Sequence, residues 1–407
     1  MFKKEQLKAG LINRQYSEQI LLFMLLLFFT TDAINKVVPL DYILEPFRWF
    51  NYAKISSLSK GLALLILGPI IFSRLCKRSA ITILLFIIIS LLVSVLFNNM
   101  EHLITWILRI SKIALPIVIL TVIRYFFEKK SLATRVINLY KVLITIQCCV
   151  TIGAYIFSWD KFLTFGIHRF GYSGLIVAQN EATFYYIIAS IFLLKEWQVK
   201  NKNLDLLLLI LVSTSTLLLG TKAIFIYYLS ILIYFIFTQN KYNKFHLVSI
   251  ASFFSLIIIY IGYFFSFFDY YINFAKEKGL LTMITSFRSD LFLERVPRVL
   301  SSWHWYNFIF GGANPATDFV EMDFVDLFLF GGILGSILYL YILSKTLFSF
   351  SKSNRMAWLL VSQYFIIGGL AGHVFASGIN AIYLAITCYY LQEFNNTSKQ
   401  LIDDNTQ

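Results

Sequence analysis

The sequence is poor in charged residues and cysteine, and it carries none of the common nucleotide-binding or metal-binding motifs. Only 14% of its 407 residues are charged, against about 25% in soluble domains. The four cysteines form no Cys-x-x-Cys pair, which argues against a disulfide framework or a zinc site. No GxxxxGK[ST] loop, GxGxxG turn or HExxH pair occurs. We therefore expect no metal and no cofactor, and any enzymatic reaction must use an activated substrate.

Apolar residues are the largest class in the chain. They make up 58% of the chain, which is more than a single soluble core can absorb. They form long unbroken runs and not the short alternating segments of a membrane barrel. We therefore predict one all-α domain, residues 1–407, that is a polytopic integral membrane bundle of about twelve transmembrane helices. The predicted spans are residues 17–34, 57–75, 79–97, 102–123, 136–158, 174–194, 204–220, 222–238, 246–268, 322–344, 356–372 and 376–393.

The excess positive charge lies mainly in the connections between these predicted spans. A net charge of +13 would suggest a nucleic-acid partner in a soluble protein, but the positive-inside rule explains it in a membrane protein. If the N-terminus is cytoplasmic, nearly every short inner connection contains Lys or Arg, whereas the short outer turns after Phe97 and near Gly372 contain neither. We therefore expect an even number of spans, two cytoplasmic termini and no nucleic-acid partner.

Three segments on the predicted outer side are longer than simple turns. They cover residues 35–56, 159–173 and 269–321, and loops of this length are usually functional. The chain shows no convincing internal repeat and no pair of Gly- or Pro-broken helices at matching positions. That pattern argues against an inverted-repeat transporter.

The long loop of residues 269–321 contains three regularly spaced arginines. Arg288, Arg295 and Arg298 would lie on one face of a helix because they are seven and three residues apart. Such a face suits a phosphate or diphosphate, since the guanidinium fork matches phosphate oxygens. The alternative is an amphipathic helix that lies on the membrane surface and is held there by anionic lipids.

Three carboxylates follow at the end of this loop, and two cations lie within the fourth span. Glu321, Asp323 and Asp326 could supply a general base, although the helix macrodipole also favours acids at a helix start. Because three crowded carboxylates repel one another, we expect at least one to have another role. Arg109 and Lys112 either pair with an acid such as Glu181, snorkel to the interface, or line a site for an anionic lipid headgroup. By the same reasoning we expect Lys141 to snorkel and His373 to be interfacial.

Four segments of the second half follow one another in a recognisable order. They are HRFGYSGLIVAQNEATFYYIIA with Arg169, LLLGTKAIFIYYLSILI with Lys222, SFRSDLFLERVPRVLSSW leading to FIFGGA, and EMDFVDLFLFGGILG. In order, spacing and predicted outer placement, residues 169–343 resemble the O-antigen ligase and O-antigen polymerase (Wzy) superfamily of bacterial envelope proteins. Lys222 stands where the family usually has arginine. Glu321 stands where the ligases have a histidine base, which favours a polymerase.

The resemblance implies a GT-C-like, metal-independent glycosyltransferase in the bacterial inner membrane, with residues 269–321 as a long periplasmic loop. Its substrates would be undecaprenyl-diphosphate-linked oligosaccharides, and its protein partner a separate chain-length regulator. Among candidate residues, Arg288, Lys222 and Arg169 would contact the leaving diphosphate, supported by Arg295 and Arg298. Glu321 is the first choice for the general base and Asp323 the second. The alternatives are a ligase that transfers glycan to lipid A–core or protein, and a non-enzymatic flippase or other transporter, which Arg109 and Lys112 would favour.

Overall fold

The computed structural model describes residues 2–38, 55–74, 85, 88, 103–127, 132–164, 170–238, 272–273, 275–277, 279–314, 317–351 and 354–404. Within these ranges the regular elements are helices, and one isolated bridge joins Leu163 to Tyr172. A short 3-10 helix covers Asp160–Phe162. In chain order the α-helices are α1 (Phe2–Val37), α2 (Ile55–Arg74), α3 (Leu103–Phe127), α4 (Thr134–Ile156), α5 (Gln179–Lys200), α6 (Asn203–Leu218), α7 (Ala223–Thr238), α8 (Leu280–Thr285), α9 (Arg288–Ser301), α10 (Trp305–Phe310), α11 (Asp323–Ser351), α12 (Arg355–Ala371) and α13 (Gly378–Asp404).

Several of these helices have the length and composition of membrane spans. Among the described residues, four segments are long and apolar enough to cross a membrane: Tyr16–Val37, Trp106–Arg124, Thr134–Ile156 and Asp323–Phe350. Shorter apolar helices cover Leu58–Ile71, Asn203–Leu218, Ala223–Tyr234 and Arg355–Ala371. The prediction of a helical membrane protein is therefore confirmed. The number of spans stays a prediction, and the predicted spans 79–97 and 246–268 lie outside the described residues apart from residues 85 and 88.

Helix α5 lies at the centre of the packed bundle. Every residue from Ala182 to Leu193 is buried, as expected for a helix that is apolar on all sides. The helix packs against α6, α12 and α13. Its Tyr185 ring lies 4.7 Å, centroid to centroid, from the ring of Tyr383 on α13, an arrangement that stabilises a core by about 0.5–1.5 kcal/mol beyond the area buried. Residues 378–391 of α13 are likewise buried, so α5 and α13 together form the interior of the described part of the bundle.

The described residues of the segment 269–321, which was predicted as a long loop, fold back onto the start of α11. It contains α8, α9 and α10, and the last of these packs against α11. The contact depends on two glycines, since a Cβ on Gly311 would lie 2.3 Å from the carbonyl oxygen of Phe330, and one on Gly332 would lie 2.4 Å from that of Ile309. Gly332 also breaks the α11 geometry with φ 60° and ψ −166°. Gly311 and Gly332 therefore both exclude a side chain.

A buried ion cluster joins α4, α5 and α6 where α5 meets α6. The Nζ atom of Lys141 lies 2.7 Å from Glu196 Oε1 and 2.5 Å from Asp205 Oδ1. The same Glu196 oxygen lies 2.7 Å from the Nζ atom of Lys200. Glu196 and Asp205 are buried. The expectation that Lys141 snorkels to the interface is therefore wrong, because acids from two neighbouring helices neutralise its charge inside the bundle.

Candidate functional site

The arginines of α9 attach this helix to the segment 318–321 that leads into α11. Arg298 Nη2 lies 3.1 Å from Asp318 Oδ1. Arg295 donates a hydrogen bond from Nη1 to the carbonyl oxygen of Phe319, and its guanidinium stacks over the Phe319 ring at 5.3 Å from the centroid. Arg295 and Arg298 lie on the same face of α9, as the spacing predicted. Because the later arginine contacts the earlier residue of 318–321, α9 runs antiparallel to that segment. These two arginines are therefore engaged with the protein itself.

Arg288, the third arginine, lies deeper and contacts Glu321. Its Nε atom donates to the carbonyl oxygen of Glu321 at 2.9 Å, and Nη2 lies 3.3 Å from Glu321 Oε2. The Arg288 side chain is 7% exposed, whereas that of Glu321 is 35% exposed. Burial lowers the pKa of the Arg288 guanidinium, and the charges of Glu321 and Asp323 oppose that shift. A buried cation thus faces a carboxylate that solvent or a ligand can reach.

Glu321 adopts a backbone conformation that side-chain-bearing residues avoid. Its φ is +63°, in the left-handed region, and such strain occurs mainly at functional sites. The turn after α12 approaches its backbone closely, because a Cβ on Gly372 would lie 2.3 Å from the Glu321 carbonyl oxygen. The α12–α13 turn therefore holds Glu321 from one side while Arg288 holds it from the other.

Asp323 anchors this α12–α13 turn through its carboxylate. Oδ1 accepts a hydrogen bond from the backbone N–H of His373 at 2.7 Å. Oδ2 accepts from the backbone N–H groups of Val374 and Phe375, both at 2.9 Å. The residue is buried, so its charge is balanced by backbone dipoles that few other side chains could satisfy. This arrangement gives Asp323 a clear structural role.

Asp326 connects the segment before α11 with α3. Its Oδ1 atom accepts a hydrogen bond from the backbone N–H of Val320 at 2.6 Å, and its Oδ2 atom lies 3.8 Å from Arg109 Nη2. Arg109 thus pairs with Asp326, and the suggested acid Glu181 lies instead 4.0 Å from Lys60. The three crowded carboxylates of this helix start therefore have three different surroundings, and only Glu321 is markedly accessible.

His373 lies in the α12–α13 turn, where positive charges from other segments act on it. Burial, the largest cause, and the positive charges of Arg109, Arg288, Lys60 and Lys112 together lower the pKa of the His373 imidazole to about 4. The imidazole is therefore neutral at pH 7. Its φ of +65° places a second strained residue beside Glu321. Sequence reasoning treated this histidine as interfacial, and only the Gly-His pair in a short apolar turn could have marked it.

Lys222 contacts the turn between α8 and α9. It donates hydrogen bonds to the carbonyl oxygen of Met283 and, at 3.1 Å, to Ser286 Oγ. Arg288 donates from Nη1 to the carbonyl oxygen of Thr285 in the same turn at 3.3 Å. The structure thus brings two predicted site cations, Lys222 and Arg288, to one turn of the chain.

Arg169, the remaining predicted cation, lies outside the described residues. The chain that follows it is attached to the connection that carries Lys222, because the backbone N–H of Tyr172 donates to the carbonyl oxygen of Leu218 at 2.8 Å. The sequence prediction for Arg169 stays a prediction.

Comparison with known proteins and metal-site geometry adds no further assignment. No family model, no curated protein and no solved structure matches this chain. Within the described ranges, no group of three or more His, Cys, Asp or Glu side chains is placed to hold a metal ion. The candidate function therefore rests on the arrangement around Glu321, Arg288 and Lys222.

Proposed function

We propose that this protein is a polysaccharide repeat-unit polymerase of the O-antigen or capsular type, at the outer face of the bacterial inner membrane. One observation carries the proposal: an accessible carboxylate, Glu321, is ion-paired at 3.3 Å to a buried arginine, Arg288. Together they provide a proton acceptor and a cation for a phosphate leaving group. The bundle would be GT-C-like, with both termini in the cytoplasm.

The reaction joins two lipid-linked glycans. A hydroxyl oxygen of the acceptor sugar attacks the anomeric carbon of the donor glycan and forms the new glycosidic bond. The bond between that carbon and the diphosphate oxygen breaks, and undecaprenyl diphosphate leaves with the electron pair. The hydroxyl proton passes to the Glu321 carboxylate, which acts as general base. No metal or cofactor takes part, since the diphosphate already activates the donor.

Charge develops on the leaving diphosphate in the transition state, and cations positioned there lower the barrier. Arg288 is the first candidate because its fork matches two phosphate oxygens, and Lys222 adds a second positive charge nearby. Arg169 completes the set by family resemblance. The contacts of Arg295 and Arg298 with Phe319 and Asp318 give these two an indirect part, in which they hold the segment that carries Glu321.

The roles of the carboxylates follow from their accessibility. Asp323 accepts three backbone hydrogen bonds and is buried, so we assign it to the positioning of the α12–α13 turn. Glu321 is left as the base. A chain-length regulator remains the expected protein partner.

The glycan length of a deletion strain tests the proposal. Without the gene, surface glycans should be a single repeat long, and the wild-type gene should restore long chains. Arg288→Ala should reduce chain growth by about 10²–10³-fold at unchanged protein level, because it removes a cation that acts on the leaving group. Arg288→Lys should retain part of the activity, since it keeps the charge and loses the fork.

Glu294→Ala is the matched control, because Glu294 is an exposed residue of the same helix α9. It should restore long chains like the wild type. Gel profiles of the surface glycan and immunoblots of the protein provide the readouts. Complete loss of surface glycan in the deletion strain would instead favour a ligase or a flippase. Normal chains in Arg288→Ala would remove this residue from the diphosphate site.

A further inference from the structure

The short helix α10 lies well along α11, although it belongs to a segment that was predicted as a long loop. The ring centroid of Trp303, just before α10, lies 5.5 Å from that of Phe328. At the other end of α10, a Cβ on Gly332 would overlap the carbonyl oxygen of Ile309, so the two backbones touch there. Gly332 follows Asp323, the first residue of α11, by nine residues, which is about 13 Å along the helix. The chain therefore runs along α11 away from its start.

The chain turns back directly after α10. The backbone N–H groups of Gly312 and Ala313 both donate to the carbonyl oxygen of Leu329, at 3.2 and 3.1 Å. The chain then reaches the segment 318–321, which contacts α9 and leads into the start of α11. Residues 303–313 thus form a hairpin that runs along the first part of α11 and returns to its start.

The end of this hairpin lies at a level that belongs to the membrane-crossing part of α11. The segment Asp323–Phe350 contains 28 residues and is about 42 Å long, which is about 12 Å more than a hydrocarbon core of about 30 Å. Even if all of this excess projected at the Asp323 end, Gly332 would reach the hydrocarbon boundary, because it lies about 13 Å from that end. If both ends share the excess, Gly332 and the adjoining end of α10 lie about 7 Å inside the hydrocarbon core.

One face of α10 is apolar and exposed. Trp305, Phe308 and Ile309 share this face because they are three and four residues apart, and they are 73%, 38% and 38% exposed. Ile333 of α11, next in sequence to the glycine that touches Ile309, is also exposed, as is Ile337 one turn further on. The apolar face of α10 is therefore continuous with the exposed apolar stripe of a membrane-crossing helix. A continuous apolar surface of this kind indicates contact with lipid.

Hydrogen bonds within the protein close the turns at both ends of α10. Asn307 is buried, and its Oδ1 atom accepts a hydrogen bond from the backbone N–H of His304 at 3.0 Å. Its Nδ2 atom donates to the carbonyl oxygen of Gly311 at 3.0 Å. The Leu329 carbonyl oxygen accepts from the returning chain just before Gly332 interrupts the geometry of α11. Non-helical backbone is tolerated at membrane depth only where the protein satisfies its polar groups in this way.

We propose that residues 303–313 form a re-entrant hairpin that enters the bilayer from the Asp323 end of α11, with Trp305 at the level of the lipid headgroups and Phe308 and Ile309 in contact with acyl chains. Tryptophan suits the headgroup level because its ring is apolar and its N–H can donate a hydrogen bond. The hairpin is a property of the fold in the bilayer, and it does not depend on the proposed reaction.

Spin labelling of the full-length protein in phosphatidylcholine–phosphatidylglycerol liposomes tests the inference. In a variant without the native cysteines, a nitroxide is attached to one introduced cysteine, and its collisions with oxygen, which concentrates in the bilayer, are compared with its collisions with a water-soluble nickel chelate. Two positions serve as references: Ile333→Cys on the exposed stripe of α11 for lipid, and Glu294→Cys on α9 for water. Both residues are exposed.

The ratio of oxygen to nickel collisions at Ile309→Cys should match that at Ile333→Cys and exceed that at Glu294→Cys severalfold, with Trp305→Cys intermediate. A ratio at Ile309→Cys as low as at Glu294→Cys would overturn the inference, because the face would lie in water.

Protection of the Ile309→Cys label from both reagents would also overturn it, because protein, such as a second copy of this chain, would then cover the face. If Ile309→Cys does not fold, as judged by size-exclusion chromatography, Phe308→Cys on the same face decides. A lipid-facing label in a protein that does not extend glycans in cells would uphold the hairpin and contradict the polymerase.

Discussion

Three carboxylates within six residues serve different purposes because their neighbours differ. Asp323 is saturated by backbone donors of the α12–α13 turn, and Asp326 bridges Val320 and Arg109. Glu321 is the accessible one, and its charge is balanced by Arg288. A carboxylate that must accept a proton and release it needs such access, whereas one that holds a turn needs burial.

Substitution by the isosteric amide should separate these roles. Glu321→Gln cannot accept the proton, so chain growth should fall by about 10²–10⁴-fold while the melting temperature in detergent changes little. Asp323→Asn turns one acceptor of buried backbone N–H groups into a donor, which should destabilise the protein by about 1–3 kcal/mol. Glycan profiles and thermal unfolding of the purified variants measure the two effects.

The reverse pattern would contradict the assignment. Full activity in Glu321→Gln would remove it as the base. A stable, inactive Asp323→Asn protein would point to Asp323 in its place.

At the scale of helices, the α9 arginines and the α4–α6 ion cluster show two uses of charge in an apolar protein. The arginines attach a short helix to the chain segment before α11. The ion cluster of Lys141, Glu196, Asp205 and Lys200 joins three helices inside the bundle. A buried charge without its partner is costly, so such a cluster specifies which helices are neighbours.

Removal of one member of this cluster should test its importance. Lys141→Met leaves Glu196 and Asp205 without their shared cation, and we expect a loss of about 3–5 kcal/mol of stability. Lys200→Met is the control, because the Lys200 side chain is 37% exposed and Lys141 still neutralises Glu196. Thermal unfolding in detergent should therefore show a large decrease for the first variant and a small one for the second. Equal, small effects would mean that the cluster contributes little.

On the scale of the whole molecule, polar groups gather at two opposite levels of the bundle. The candidate site lies where α11 begins and α12 ends. The ion cluster lies where α5 ends and α6 begins. The positive-inside pattern predicts that the first level lies outside and the second inside, and the proposed reaction on exported lipid-linked glycans requires that orientation.

Cysteine labelling should test this orientation. In a variant without the native cysteines, Glu294→Cys on α9 should react with a membrane-impermeant maleimide in spheroplasts. Lys202→Cys, in the α5–α6 connection, should react only after lysis, because it would face the cytoplasm. Both positions are exposed, so accessibility within the protein does not bias the comparison. The opposite labelling pattern would place the candidate site in the cytoplasm and exclude the proposed reaction.

The helical membrane class and the arginine helix were predictable because their signals are local. Apolar runs identify α1, α3, α4 and α11 without knowledge of their neighbours, and a spacing of seven and three residues places Arg288, Arg295 and Arg298 on one face. The number of spans is a longer-range property, which these local signals did not establish.

The partner of each charge was not predictable in the same way. Arg109 pairs with Asp326 and not with Glu181, and Lys141 is buried where snorkelling was expected. Nothing in the spacing of His373 indicated that four cations lower the pKa of its imidazole. Each of these facts depends on which helices are adjacent, and a membrane-spanning helix carries little sequence information about its neighbours.

The sequence by itself therefore determined that most of this protein lies in lipid and that it is helical, because composition and periodicity are properties of the chain alone. Only the tertiary structure decided that Glu321 is accessible while Asp323 is saturated, and that Arg109 pairs with Asp326. The physical reason is that burial and hydrogen-bond satisfaction are set by contacts between segments distant in the chain. Chemical function depends on those contacts as much as on residue type.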